Sequence, residues 1–113
     1  MVAPGWVPRR TEIIHLDSAD GAGHEQTGDR PHLVLTPQGF NDKTNLVVCV
    51  AVTTKIKGFP FEVALAGLNK PCVALTHQMS SADWRSRKAF PRGFASKVEM
   101  LEVEAKVRSL LEL

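Results

Sequence analysis

The sequence predicts a mostly β fold that ends in a single α-helix. Short apolar and β-branched stretches follow one another between residues 12 and 90, and glycine- or proline-containing turns separate many of them. The last segment instead repeats apolar residues at three- and four-residue spacing, which indicates a helix. Several strands followed by one helix favour a small, twisted, partly open β-barrel with the helix packed on it.

Six strands are predicted before that helix, over residues 12–16, 32–36, 46–52, 59–65, 72–75 and 87–90. The run 46–52 is almost continuously apolar, which is typical of a central, buried strand. Helical turns are predicted over residues 37–44 and 80–85. Residues 17–30 are rich in Gly, Asp and Ala and form a long loop of the kind that is usually functional or mobile.

The C-terminal helix has the clearest pattern. Ser96 and Glu99 match a capping box, in which a serine begins the helix and a glutamate three residues later closes the cap. An apolar stripe follows, made of Met100, Val103, Val107, Leu110 and Leu111. We expect the stripe to pack on the core, with a partner surface as the alternative.

Length and composition favour one domain over residues 1–113. A domain of this size has a small core, and dimerisation would bury further surface. No stretch approaches the roughly 20 apolar residues of a membrane helix, and no signal peptide is apparent, so we expect a cytoplasmic protein. Cys49 and Cys72 stand in apolar runs and are expected to be buried free thiols rather than a disulfide. Zinc-ligand spacing is absent, and no metal or other cofactor is expected.

Positive charge is concentrated in the middle of the chain, although the net charge is only +2. From position 43 to position 97 the acidic residues are Glu62 and Asp83, against nine basic residues: Lys43, Lys55, Lys57, Lys70, Arg85, Arg87, Lys88, Arg92 and Lys97. Such a field suits a polyanion, either a nucleic acid or an acidic peptide. A solvated face without a partner is the alternative.

The predicted loop carries reactive side chains at short spacing. Gly23-His24-Glu25-Gln26 is followed by Gly28, Arg30 and Pro31. A carboxylate, an imidazole and a guanidinium are the groups that phosphodiester cleavage without a metal requires. On chemistry alone, a polar surface turn explains the run equally well.

The run nevertheless resembles the signature of the MazF/PemK family of bacterial toxins, and the similarity extends over nearly the whole chain. It continues through Asn41-Asp42-Lys43-Thr44, Val52-Thr53-Thr54, the stretch from Lys57 to Val63, Gln78, Asp83-Trp84-Arg85 and Arg87. The resemblance implies an SH3-like barrel, a two-fold homodimer and a toxin of a type II toxin–antitoxin module. It also implies sequence-specific, metal-independent cleavage of single-stranded mRNA by 2′-hydroxyl attack, which leaves 2′,3′-cyclic phosphate and 5′-hydroxyl ends.

The resemblance implies roles for five residues in catalysis. Arg30 would grip phosphate oxygens with its planar fork of donors, and the Thr53 hydroxyl would contact a phosphate oxygen or the 2′-hydroxyl. Glu25 would act as base or orient Arg30, and His24 would transfer a proton near its ordinary pKa of about 6.5; solvent-exposed loop residues without a catalytic role are the alternative for both. His77 stands where relatives commonly carry an aspartate and is a second candidate for proton transfer; a hydrogen-bonded structural histidine is the alternative.

A second set of residues is expected to bind RNA. Lys55 and Lys57 would contact phosphates, and Phe59 would stack on a base or pack in the core. The amides of Gln26 and Gln78 would read base edges, and Arg85 and Arg87 would extend the positive surface. The resemblance further implies an acidic MazE-like antitoxin whose extended tail crosses the toxin and displaces residues 17–28.

Three departures from the family pattern keep other interpretations open. Thr11-Glu12 replaces the usual Gly-Asp, Ala19-Asp20 replaces Asp-Pro in the loop, and His77 replaces aspartate. A catalytically impaired relative is one alternative. A CcdB-like toxin, which binds a protein target such as DNA gyrase without being an enzyme, is the other.

Overall fold

A computed structural model describes residues 2–17 and 30–113. The strands are β1 (Glu12–His15), β2 (Pro31–Val34), β3 (Leu46–Thr53), β4 (Glu62–Leu65), β5 (Cys72–Asp83) and β6 (Phe90–Phe94). They form one antiparallel sheet with the strand order β4-β5-β3-β2-β1-β6. Helix α1 (Gln38–Thr44) precedes β3, and helix α2 (Lys97–Leu111) follows β6. The predicted mostly β fold with a C-terminal helix is confirmed, and the sheet curls into a half-barrel.

Both faces of the sheet are covered by apolar side chains. The inner cluster, which α2 covers, includes Ile13, Leu33, Val50, Val63, Met100 and Val103. The outer cluster includes Ile14, Val34, Cys49, Trp84 and, at its margin, Trp6. Neighbouring strand residues such as Ile13 and Ile14 therefore point to opposite cores. A one-residue slip would exchange the two sets, so the register of the strands is strongly specified.

The curl of the sheet is closed by two glycines at its edges. Gly67 follows the edge strand β4, and Gly93 lies in the other edge strand, β6. A Cβ atom on Gly67 would lie 2.1 Å from the carbonyl oxygen of Phe94, and a Cβ on Gly93 would lie 2.2 Å from that of Gly67. The two backbones can approach this closely only because neither residue has a side chain.

Helix α2 begins as predicted but is less buried than predicted at its end. The Ser96 hydroxyl accepts from the Glu99 amide at 3.1 Å, and the Glu99 carboxylate accepts from the Ser96 amide at 2.8 Å. Met100 and Val103 are buried. The expectation that Leu110 and Leu111 are core residues is wrong, because these side chains are 51% and 49% exposed. The surface that α2 buries against the sheet ends near Val107.

Three predicted strand boundaries also change. The helical turn predicted over residues 80–85 is wrong: Ser80 and Ser81 belong to the long strand β5, where they pair with Cys49 and Val48. The strand predicted over 87–90 lies later, at β6, and β4 begins at Glu62 rather than at position 59. Ser80 and Ser81 have weak strand preference of their own, and their pairing with β3 overrides it.

Both cysteines are free and buried, as predicted. Burial raises the pKa of the Cys49 and Cys72 thiols, so neither is activated as a thiolate nucleophile. In the part of the chain that the structure describes, no helix is long and apolar enough to cross a membrane.

Candidate active site

The pairing of β2 with β3 leads toward Arg30 and Thr53. Leu33 pairs with Val50 and His32 with Ala51, the last pair at this end of the two strands. Arg30 and Thr53 each lie two residues beyond that pair, so the same register, if continued, would set them opposite one another. Side chains opposite one another share a face of the sheet, with Cβ atoms about 5 Å apart. The register therefore directs two residues that are 23 positions apart in the chain to the same end of one strand pair.

The Arg30 backbone is held on both sides. Its carbonyl oxygen accepts from the Leu16 amide at 3.2 Å and from Nδ1 of His32 at 2.9 Å. Thr53 is also fixed, because its Oγ1 accepts from the Lys55 amide at 3.1 Å. That contact leaves the hydrogen of the Thr53 hydroxyl available to donate to another group. Both side chains are half-buried.

Strand β5 bulges beside this pair. Val50 of β3 pairs with Met79, but the next residue, Ala51, pairs with Leu75. Thr76, His77 and Gln78 therefore have no partner in β3. The buried Thr76 ties the bulge to the preceding loop, since its amide and hydroxyl donate to the Phe61 carbonyl at 3.3 and 2.6 Å. Bulges redirect side chains, and this one leaves His77 and Gln78 exposed.

A concavity of about 210 Å³ lies between Thr53 and the bulge, and we call it the His77 concavity. Besides Phe61, Glu62 and Leu75, its wall contains six residues that the sequence nominates: Thr53, Lys55, Lys57, Phe59, His77 and Gln78. The structure thus gathers one proposed catalytic hydroxyl, two cations, an amide and two rings around one space.

The aromatic side chains of this concavity form a continuous row. The rings of Phe59 and Phe61 are stacked, with centroids 5.2 Å apart and planes at 20°. The His77 ring contacts the other end of the row, 3.8 Å from Phe61 at a tilt of 52°. Phe59 is 49% exposed, so the core alternative for this residue is wrong.

Glu62 organises the basic loop, although its role was not predicted from the sequence. Its buried carboxylate accepts from the Lys57 amide at 3.2 and 3.3 Å and from the Gly58 amide at 2.9 Å. Gly58 adopts a φ of 80°, in the region that favours glycine. The Glu62 carbonyl in turn accepts from Nζ of Lys106 on α2 at 3.0 Å.

A second concavity, of about 470 Å³, lies on the other side of Thr53, and we call it the Lys70 concavity. Its wall includes Pro31, which follows Arg30 directly, and the basic residues Lys70 and Arg92. In the sequence these two cations were visible only as part of the positive middle region. Lys70 lies in the turn after β4, and Arg92 lies in β6. The contact between these two edges of the sheet brings both cations beside Thr53, and that contact is not visible in the sequence.

Arg85 is directed away from this region. Its guanidinium lies over the Trp84 ring, 4.1 Å from the centroid, and contacts Asp42 at 3.2 Å and Asn45. Asn45 precedes β3, whereas Thr53 ends it, so about 26 Å of strand separates them. Arg87 is half-buried at the end of β1, where its Nε donates to the Asp17 carbonyl at 2.6 Å.

His24, Glu25 and Gln26, for which the sequence predicts catalytic and RNA-binding roles, lie outside the described residues. Their roles stay predictions. Within residues 2–17 and 30–113, no cluster of three His, Cys, Asp or Glu side chains is arranged to hold a metal ion.

The two remaining histidines lie in strands, as predicted. His15 stacks on Phe90 with centroids 4.5 Å apart, and its Nε2 lies 2.8 Å from Oδ1 of Asp17. Burial lowers the pKa of His32, and the positive charges of Arg87 and Arg30 lower it further. His32 is therefore neutral at pH 7 while it donates to the Arg30 carbonyl.

The lowered pKa of His32 predicts a loss of stability in acid. As the pH is lowered below about 6.5, the unfolded chain takes up a proton at this histidine before the folded chain does. The free energy of unfolding therefore decreases as the pH decreases. We expect Tm to drop between pH 7 and pH 5.5, and the drop to be smaller in His32→Gln. Circular dichroism melts of both proteins test this. Equal pH slopes would show that His32 does not carry the effect.

Comparison with known proteins places these features in a family. Residues 9–111 match the family model described as PemK-like, MazF-like toxin of type II toxin-antitoxin system. The chain is 40% identical over 106 residues to the endoribonuclease toxin MazF of Escherichia coli K12, covering 94% of this chain and 96% of that protein.

Solved structures agree with the sequence match. A crystal structure of MazF from Deinococcus radiodurans superposes with a TM-score of 0.83 at 41% identity, covering 96% of this chain and 99% of the other. A MazE–MazF crystal structure from the same organism gives a TM-score of 0.83 at 37% identity, with 96% and 98% covered. The fold and these matches lead to one conclusion: the chain belongs to the PemK/MazF family of type II toxin–antitoxin toxins.

Proposed function

We propose that this toxin is a sequence-specific endoribonuclease that cuts single-stranded mRNA without a metal ion and thereby inhibits translation and growth. The 2′-hydroxyl attacks the adjacent phosphorus, leaving a 2′,3′-cyclic phosphate and a 5′-hydroxyl. The observation that carries the proposal is the concavity that gathers Thr53, Lys55 and Lys57, at the end of β3 toward which the register of β2 directs Arg30.

Arg30 and Thr53 would act on the phosphate itself. The attack places additional negative charge on the phosphate oxygens, and donors fixed in advance stabilise that charge best. The Arg30 guanidinium supplies a rigid fork of donors. The Thr53 hydroxyl, whose oxygen already accepts from Lys55, donates to a phosphate oxygen or orients the 2′-hydroxyl.

Proton transfer requires two further groups. Glu25 is proposed as the base that takes the 2′-hydroxyl proton, or as the group that orients Arg30. His24 and His77 are the two candidates for the acid that protonates the leaving 5′-oxygen. Of these three residues the structure describes His77, which lines the same concavity as Thr53.

RNA would cross the site through contacts on both sides of Thr53. Lys55 and Lys57 are exposed in the His77 concavity and suit phosphates, and the Gln78 amide suits a base edge. Gln26 is proposed to read a second base edge. On the other side, Lys70 and Arg92 offer positive charge to the following phosphates. Arg87 would extend this surface, whereas the contacts of Arg85 direct it elsewhere.

A MazE-like antitoxin is the proposed partner protein. The Deinococcus radiodurans MazE–MazF complex covers 96% of this chain at 37% identity. An acidic antitoxin tail would be attracted to the basic surface around Lys55 and Lys57 and would displace residues 17–28. We further propose that residues 1–113 form one domain, that the toxin is a homodimer and that it acts in the cytoplasm.

Cleavage in the presence of EDTA tests the proposed activity. Purified protein is incubated with a long single-stranded RNA, and the ends of the fragments are mapped and analysed chemically. We expect defined cuts with 2′,3′-cyclic phosphate and 5′-hydroxyl ends. Absence of cleavage would contradict the proposal, and inhibition of DNA gyrase without RNA cleavage would favour the CcdB-like alternative.

The anchoring role of Glu62 predicts a binding defect. In Glu62→Gln the side chain keeps its shape, but one of its two oxygens becomes an NH2 group that cannot accept from the Lys57 or Gly58 amide. Losing a hydrogen bond to a charged group weakens the loop, and we expect KM for RNA to rise about tenfold with little change in kcat.

Steady-state kinetics on a short RNA measure this split. Glu104→Gln is the matched control, because Glu104 lies on α2 and pairs with Arg10 outside both concavities. An equal KM for the two variants would show that the Glu62 anchor does not position the basic loop for RNA.

A further inference from the structure

We propose that Phe59, Phe61 and His77 form a binding subsite for one unpaired nucleobase of the RNA, and that His77 serves there as a ring platform rather than as the proton donor. The inference rests on the proposed RNA cleavage and assigns the part of the site that selects the substrate. It leaves the proton-transfer role to His24 and Glu25.

The three rings are arranged to receive a flat ligand. Phe61 is half-buried in the middle of the row, and the two outer rings, Phe59 and His77, are exposed. An exposed row of contacting rings offers faces on which a nucleobase can stack, and stacking suits any base because each has a π-face. In an RNA duplex those faces are covered by neighbouring bases. A stacking subsite therefore explains a requirement for single-stranded RNA.

The row is fixed before RNA binds. The buried Thr76 donates twice to the Phe61 carbonyl, which locks the central ring to the bulge that carries His77. The Glu62 carboxylate holds the Lys57 and Gly58 amides, which fixes the loop that carries Phe59. A pre-formed site loses little conformational freedom on binding, so stacking contributes fully to affinity.

The polar groups beside the row match the rest of a nucleotide. Lys55 and Lys57 line the same concavity and supply positive charge for the phosphates on either side of the base. Gln78, which follows His77 in the bulge, brings an amide that can both donate to and accept from a base edge. The ligand that fits this combination is a single nucleotide within an RNA strand.

The position of His77 favours a nucleotide next to the scissile phosphate over the phosphate itself. Arg30 precedes β2, and His77 lies on β5, with Thr53 at the end of β3 between them. A proton donor must come within about 3 Å of the leaving oxygen. The His77 ring instead contacts Phe61 and extends the aromatic row.

Binding to an uncleavable RNA tests the subsite apart from catalysis. The oligonucleotide carries a 2′-deoxy residue at the mapped cleavage position and a fluorescent label. We expect His77→Ala and Phe59→Ala each to raise Kd about tenfold, and His77→Phe, which keeps the ring, to restore the binding that His77→Ala loses. Phe40→Ala, which removes an exposed ring on α1, is the matched control and should leave Kd as it is.

An abasic nucleotide identifies the base that the row receives. When the abasic nucleotide is placed at each position beside the cleavage site in turn, we expect it to raise the Kd of the unmutated protein at one position. At that position it should not raise the Kd of His77→Ala further, because this variant has already lost the stacking contact. Equal Kd values for the His77, Phe59 and Phe40 alanine variants would overturn the subsite, whether or not the protein cleaves RNA.

Kinetics of His77→Phe decide between platform and proton donor. For a platform, kcat of this variant keeps the pH profile of the unmutated protein. A fall in kcat with Kd preserved, or the loss of one limb of the pH profile, would overturn the assignment. Failure of the unmutated protein to cleave would contradict the proposed activity alone, since the binding comparison can then be run on the same labelled RNA without the 2′-deoxy residue.

Discussion

Replacing Arg30 by alanine is expected to lower kcat/KM for RNA cleavage at least about a thousandfold, the scale of losing an arginine that stabilises a transferring phosphoryl group. The register of β2 and β3, continued by two residues, brings Arg30 opposite Thr53, where the phosphate is proposed to bind. The charge that develops on phosphorus-bound oxygens would then lack its principal donor. Arg30→Lys keeps the charge but not the planar fork, and we expect it to recover only part of the rate.

Single-turnover kinetics on a short RNA in EDTA measure the loss. Arg108→Ala, which removes an exposed guanidinium from α2, is the matched control. Circular dichroism confirms that the variants fold alike. Cleavage by Arg30→Ala within tenfold of the unmutated rate would remove Arg30 from the catalytic assignment.

Replacing Gly67 by alanine is expected to have the largest effect on stability. The new methyl group would meet the Phe94 carbonyl oxygen at 2.1 Å, a backbone atom that cannot move without opening the contact between the two sheet edges. We expect a loss of about 3 kcal/mol or more in the free energy of unfolding, as overpacking against fixed atoms produces. Tm should fall by roughly 10 °C.

Gly39→Ala provides a matched comparison. Gly39 lies in α1, and a Cβ there meets nothing within 4 Å. Alanine in a helix is favoured over glycine by about 0.5–1 kcal/mol, so this variant should be equal to or more stable than the unmutated protein. Urea unfolding of the two variants measures the difference. Equal stabilities would mean that the Gly67–Phe94 contact does not close the barrel.

The sequence predicted those parts of the fold that local patterns decide. The apolar run of β3 and the capping box at Ser96 and Glu99 each depend on neighbouring residues alone, and both elements lie where expected. Arg30 and Thr53 were nominated through the resemblance to relatives. The structure adds a physical link between them, which is the register of β2 and β3 continued to the end of that strand pair.

The remaining features depend on contacts between distant segments. The bulge at His77 exists because β5 pairs with β3 on both sides of three additional residues, and no local pattern encodes that shift. The capture of loop amides by Glu62 requires the loop to turn back on its own strand. Leu110 continues the apolar spacing of α2, but spacing does not show where the opposing sheet ends.

A double-mutant cycle on Arg30 and Thr53 tests the central claim most directly. Single-turnover cleavage of one RNA in EDTA is measured for the unmutated protein, Arg30→Ala, Thr53→Val and the double variant. If the two side chains act on the same phosphate, their effects are strongly non-additive, and the double variant should cleave no more than about tenfold more slowly than Arg30→Ala. A double variant whose loss equals the product of the two single losses, or an unmutated protein that cleaves only after a divalent metal is added, would contradict the account.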